Sequence, residues 1–129
     1  MRDPKPGTAW SVGRARRRAV YAAWMTSAGW GRQRDAWLAE WDRRHPGRPP
    51  VCAACGEAWD PRRGDLHHRD YRRLGTEAFN DLIPLHRSCH DQLHQLLERA
   101  ARPARTRRAQ ASDAVLTHLR ATHRTRPGR

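Results

Sequence analysis

At 129 residues the chain is sized for one domain, and only 37% of it is hydrophobic, so a core this thin predicts help from a metal ion or a bound partner. A formal net charge of +13, carried by 25 Arg and the lone Lys5, predicts a polyanionic partner, with nucleic acid first and a solvated basic face or an anionic membrane surface as alternatives. No apolar run approaches the ~20 residues of a membrane span and MRDPKPGTAW has no signal-peptide core, which argues against membrane insertion and secretion and for a reducing cytoplasm.

In chain order, residues 1–18 carry Pro4, Pro6, Gly7 and Gly13 and then RARRR, and read as a flexible basic arm. Residues 19–47 read as a Trp-rich helical lead-in. A short helix is predicted over Ala19–Met25, SAGWG at 27–31 interrupts it, and a second helix follows from about Trp30 to Arg44. Trp30, Trp37, Leu38 and Trp41 recur at helical spacing. That stripe predicts core packing, with stacking on nucleic-acid bases as the alternative. HPGRPP at 45–50 ends the helix, and VCAACG at 51–56 forms a knuckle whose turn Gly56 closes.

DLHH at 65–68 and DLIPL at 81–85 are short apolar pieces bounded by turn residues, which predicts two strands of a hairpin. Leu93, Leu96, Leu97 and Ala100 predict a helix from Arg87 to about Ala100. Residues 101–129 read as a basic C-terminal tail with a weakly amphipathic helix around Val115, Leu116 and Leu119. The chain has no internal repeats.

Cys52 and Cys55 form C-x2-C, and His86 and Cys89 form H-x2-C. In a reducing compartment three cysteines in this arrangement predict metal ligation rather than disulfides. Two intervening residues let both side chains of each pair turn toward one ion, so the four together suit a closed tetrahedral Zn²⁺ site. The second pair opens the helix predicted from Arg87, so the ion would fasten that helix to the knuckle and supply folding free energy that the small core lacks.

Four more histidines crowd the same region. His90 and His94 are four apart and share one helix face, so both can reach a single ion. On a strand, His67 and His68 point to opposite faces. One could then face a metal and the other an attacking water, which is the division of labour hydrolysis needs. Imidazole is also the side chain that titrates near neutral pH without perturbation.

LHHRDYRRLGTEAFNDLIPLHRSCHDQLH, preceded by CAACG, resembles the HNH endonucleases, in particular the zinc-stapled phage type with its His-His doublet, Y-x-x-x-G-x-E segment and C-H-x-x-x-H ending. The resemblance covers about residues 50–96, and YAAWMTSAGWGRQRDAWL upstream resembles the helical lead-in of those proteins. It implies a small α+β fold with a ββα-metal (His-Me finger) core over residues 48–100, a structural zinc knuckle, a helical N-terminal lead-in and basic tails. It also implies His67 and His90 as ligands of a catalytic divalent ion and His68 as the general base. His94 matches the further histidine that ligates the ion or contacts phosphate. Asp81 stands nine residues before His90, where the family has Asn, and the resemblance implies that it orients the base. His86 is the second departure, standing where the family usually has Cys; imidazole remains an acceptable Zn²⁺ ligand.

The implied reaction is hydrolysis of a DNA phosphodiester with Mg²⁺ or Mn²⁺, imidazole ligands also accepting Ni²⁺ or Zn²⁺. Arg69, Arg72, Arg73 and Arg87 are the expected backbone contacts, giving affinity with weak sequence readout. Two other readings compete. A zinc-stapled DNA-binding accessory that does not cleave, for example in phage DNA packaging, is favoured by Asp81, and an RNA-binding zinc protein is permitted by charge. In either reading the setting is a bacterial or phage-encoded cytoplasmic protein.

Overall fold

The computed structural model describes residues 6–99 and 107–124. They form four α-helices and a two-stranded antiparallel sheet, a small α+β fold. Helix α1 spans Pro6–Met25, so it starts well inside the stretch expected to be a flexible arm. Pro6 is tolerated at the first helical position, where its missing N–H would lack a partner anyway. The Ala and Arg of the following run are strong helix formers that outweigh Gly13. Residues 1–5 of the expected arm lie outside the described residues.

Helix α2 spans Ala28–Arg44, beginning two residues before the expected start because Ser27 caps it: its Oγ accepts from the Trp30 N–H at 3.3 Å. The Trp stripe is core. Trp30 and Trp37 are buried with Trp59, Leu66 and Leu82, with Trp24, Trp41 and Phe79 packed around them. Trp37 stacks on Phe79 at 5.3 Å, so the burial of Trp30 and Trp37 removes them as platforms for nucleic-acid bases.

The knuckle follows. Its Val51 and Ala58 pair as an isolated antiparallel bridge, and the Gly56 N–H donates to the Cys52 carbonyl at 2.9 Å. Gly56 has φ of 79°, a left-handed backbone that suits glycine. Ala53 N–H donates to the Pro84 carbonyl at 2.8 Å, tying the knuckle to the sheet.

Strand β1, Gly64–His68, pairs antiparallel with β2, Leu82–His86, placing His68 opposite Leu82 and Gly64 opposite His86. The hairpin was legible, but β2 starts at Leu82 because Asp81 completes a short 3₁₀ turn over Phe79–Asp81. Gly64 is required by packing: a Cβ there would collide with the Trp59 indole, whose Nε1–H donates to the Leu85 carbonyl at 3.0 Å.

Helix α3, Arg87–Arg99, leaves β2 without a loop and buries Cys89, Leu93 and Leu97. Helix α4, Arg108–Arg124, packs on α3 and brings Ala111, Leu116 and Leu119 into one cluster with Cys52, Leu85, Cys89 and Leu93. Burying the two leucines contributes roughly 3–6 kcal/mol before entropy is counted. The stretch expected to be a basic tail therefore holds a helix of the core, and the packed unit extends beyond residue 100. Residues 100–106 and 125–129 lie outside the described residues. Among the described residues no helix is long and apolar enough to cross a membrane.

Candidate metal centre and active site

The knuckle supplies Cys52 and Cys55, the end of β2 supplies His86, and the first turn of α3 supplies Cys89. One ligand atom from each lies within 4.8 Å of the other three. Tetrahedral coordination at ordinary Zn–S lengths needs sulfur–sulfur edges of about 3.8 Å, so small adjustments close the shell. The His86 ring is already oriented: Nε2–H donates to the Ala58 carbonyl at 2.7 Å, leaving Nδ1 as a lone pair 3.3 Å from Cys55 Sγ.

The thiols differ in acidity. Burial acts to raise Cys52, but the backbone N–H groups of Cys55, His86 and Ala54 bring it below its ordinary value. Cys89 is pushed up to about 12 by burial and by the neighbouring Cys52 and Cys55. Deprotonating all three thiols this close together takes a divalent cation among them, and the donor set of three sulfurs and one imidazole fits a structural metal ion such as zinc. One residue the sequence reading did not single out approaches this centre: His123 of α4 brings Nε2 to 4.0 Å from Cys89 Sγ.

The second cluster also draws on α3, where His90 directly follows Cys89. His67 Nδ1 is 3.2 Å from His90 Nε2, and His94 Nε2 is 2.9 Å from that same atom. Nitrogens bound to one ion at ordinary lengths are spaced by about 3.0–3.4 Å; the two separations to His90 are close to that, and one nitrogen from each of the three rings lies within 4.8 Å of the other two. The outward nitrogens of His67 and His90 are anchored. His67 Nε2 lies 2.7 Å from the Oγ of buried Ser112 on α4, and His90 Nδ1 lies 3.0 Å from Asp65 Oδ2 on β1. A carboxylate or hydroxyl behind an imidazole fixes which nitrogen faces inward, the arrangement expected behind metal-binding histidines. Burial first, then His90, Arg108, His94 and His68, lowers the His67 pKa to about 2. Burial, His90 and Arg108 also lower His94. Both rings therefore keep their lone pairs at neutral pH.

His68, one residue on, turns to the opposite face of β1 as strand geometry requires, yet it borders the same cavity of about 100 Å³ as His67, His90 and His94. Its ring lies 5.1 Å from Trp30, 5.6 Å from Tyr71 and 5.9 Å from Tyr21. Its Nε2 is 2.7 Å from Glu77 Oε2, and both side chains are buried.

Glu77, not Asp81, is the carboxylate beside His68. It accepts from Trp24 Nε1–H at 2.9 Å and from the Gly75 N–H at 2.8 Å as well as facing the imidazole. Asp81 is engaged elsewhere: it binds the Arg73 guanidinium and accepts from the Ala78 N–H at 2.8 Å. The Arg73 hydrogen bond, aided by the Ala78 N–H, holds its carboxyl below the usual carboxylate range. The expectation that Asp81 orients the base is therefore corrected. Its carboxylate caps the 3₁₀ turn it belongs to, and that local demand directs it away from His68. The Y-x-x-x-G-x-E segment contained Glu77, but spacing alone assigned it no partner.

The four arginines expected to contact a nucleic-acid backbone have different surroundings. Arg69 forms a two-point pair with Asp113 of α4, Arg73 pairs with Asp81, and Arg87 donates to the Arg62 carbonyl at 3.0 Å. Arg72 lines a surface groove with Asp70, Tyr71, Arg107 and Arg108, three arginines against one carboxylate. Compared with known protein families, curated proteins and solved structures, the chain matches none.

Proposed function

We propose that the chain is a metal-dependent endonuclease of the HNH type, hydrolysing DNA phosphodiester bonds on a ββα-metal core formed by β1, β2 and α3. The observation that carries this reading is the convergence of one nitrogen each from His67, His90 and His94, all within 4.8 Å of one another, beside a separately held His68. A divalent ion bound there, Mg²⁺ or Mn²⁺ first and Ni²⁺ or Zn²⁺ also suited to imidazole, would supply Lewis-acid stabilisation of charge on phosphate oxygens. His67 and His90 would hold it, and the position of His94 fits a third ligand.

The protein's own part is proton transfer and positioning. With Nε2–H directed at Glu77, the His68 lone pair is at Nδ1, which takes a proton from water as the water oxygen attacks phosphorus. The bond from phosphorus to the 3′-oxygen breaks, the leaving oxygen takes a proton from solvent, and the products carry 5′-phosphate and 3′-hydroxyl ends. Glu77 keeps the ring in that tautomer, while Trp24 and the Gly75 N–H keep Glu77 in place. Arg72, Arg107 and Arg108 are the arginines best placed to hold backbone phosphates beside the site.

A plasmid-nicking assay with each ion tests this, comparing wild type with His68→Ala. Cleavage stopped by EDTA and nearly abolished by the substitution, in a protein that still folds, is the expected result. Equal activity in both proteins, or none in either, rejects it. The second reading, a zinc-stapled DNA-binding accessory without cleavage, is favoured by the enclosure of the site. His67 and His68 are only 1% and 3% exposed, so phosphate entry requires the cavity walls to move. DNA binding without cleavage by any of the four ions is its signature.

A further inference from the structure

Immediately outside the histidine cavity runs a second, open groove of about 650 Å³. Its wall is formed by Val20 and Tyr21 of α1 with Tyr71 and Leu74 of the loop after β1, and Arg16, Arg17 and Arg18 rim it. Tyr21 and Tyr71 line both spaces, their rings meeting edge to face at 5.2 Å, so this aromatic pair is the partition between groove and cavity. Val20 and Tyr71 are 56% and 41% exposed, and they are two of the three exposed large hydrophobic side chains among the described residues. Arg108 covers part of the Tyr71 ring, its Cζ 4.6 Å from the centroid, and links this groove to the neighbouring one, which Arg72 and Arg107 line together with Asp70.

We infer that this groove binds an unpaired nucleotide of a DNA strand, the one flanking the phosphate presented to His68. The inference rests on the nuclease reading of the histidine site. The composition of the groove selects the occupant. Three arginines and no carboxylate line it, which matches a phosphate backbone. In a duplex, base faces are stacked on one another and only edges and backbone are presented. An exposed tyrosine beside aliphatic side chains therefore gains contact from a base only once that base is unstacked. The volume falls within the range of pockets for small molecules such as a nucleotide. Because Tyr21 and Tyr71 also close the histidine cavity, a base lodged against them would displace the partition that encloses His67 and His68.

The test is equilibrium binding by fluorescence anisotropy, using the full chain carrying one zinc per molecule with no added divalent ion, each probe being shown intact on a gel afterwards so that the result is independent of cleavage. Three labelled probes of equal length are compared: a mixed-sequence single strand, its duplex, and an oligomer of the same sugar–phosphate backbone lacking bases. The expected result is single strand bound about tenfold or more tighter than the baseless oligomer, and tighter than the duplex. Tyr71→Ala and Val20→Asn should erase most of that preference, while Tyr71→Phe keeps it. Equal binding of single strand and baseless oligomer by wild type overturns the inference, leaving only charge attraction. A preference that survives both Tyr71→Ala and Val20→Asn, each with unchanged melting temperature, also overturns it by placing base contact elsewhere. Absence of nicking in the plasmid assay rejects the nuclease reading and leaves this binding result standing on its own.

Discussion

Removing the Glu77 carboxylate is the sharpest test of how the site is held. The group is buried and faces three N–H donors: the Gly75 amide on one oxygen, and Trp24 Nε1 and His68 Nε2 on the other. Glu77→Ala leaves all three facing a void. At roughly 1–3 kcal/mol for each buried donor left unsatisfied, less what entering water restores, the expected loss is about 3–6 kcal/mol of unfolding free energy. Glu77→Gln keeps the shape but replaces one acceptor oxygen with a donor. Whichever way the amide turns, at least one of the three donors then faces an NH₂, for a cost of about 1–3 kcal/mol. Urea denaturation of the zinc-loaded proteins, followed by Trp fluorescence, measures both values. In the nicking assay Glu77→Gln should lower kcat with little change in KM, because the tautomer of His68 and not substrate binding is disturbed. The reasoning is refuted if both variants unfold within about 0.5 kcal/mol of wild type, an ordinary surface effect.

Other outcomes follow from the same geometry. Purified protein should carry one tightly held zinc per chain by elemental analysis, and Cys89→Ala should lose it together with most of the cooperative unfolding transition; a zinc-free, fully folded wild type would falsify the assignment. Leu116→Ala should cost about 2–5 kcal/mol because the side chain is buried between α4 and α3, and a cost near zero would mean that α4 does not dock in solution. The pH dependence has a definite sign. His67 has a folded pKa of about 2 against 6.5 ordinarily, so below pH 6.5 the unfolded chain takes up a proton that the native chain does not. Stability should therefore fall as pH drops through 6.5, by up to about 1.4 kcal/mol per pH unit for this residue, with His94 adding in the same direction. The difference between wild-type and His67→Asn urea midpoints isolates the effect, and a gap that does not change with pH rules it out.

Local pattern settled a good deal before any long-range contact is considered. C-x2-C and H-x2-C are short enough that each pair must present both side chains together, and placing the second pair at the strand–helix junction was enough to anticipate the four-ligand cluster. Alternation along a strand put His67 and His68 on opposite faces, and helical spacing put His90 and His94 on one. The Trp stripe read as core, and it is. These are consequences of backbone geometry over two to four residues.

What the tertiary structure decided is which distant groups meet. Two carboxylates, Glu77 and Asp81, stand four apart on one irregular segment, and no periodicity tells which faces the imidazole; the 3₁₀ turn does, by engaging Asp81 as its cap. Helix α4 follows an arginine-rich stretch and carries few apolar residues, so its sequence suggested a weakly amphipathic helix within a basic tail and gave no sign that it docks. Only packing against α3 reveals that Leu116 and Leu119 are core, that Ser112 backs His67 and that Asp113 occupies Arg69. Sequence fixes what a residue offers within a turn or two of its own element. Which offer is taken depends on the long-range contacts that satisfy buried polar groups, and those exist only in the folded chain.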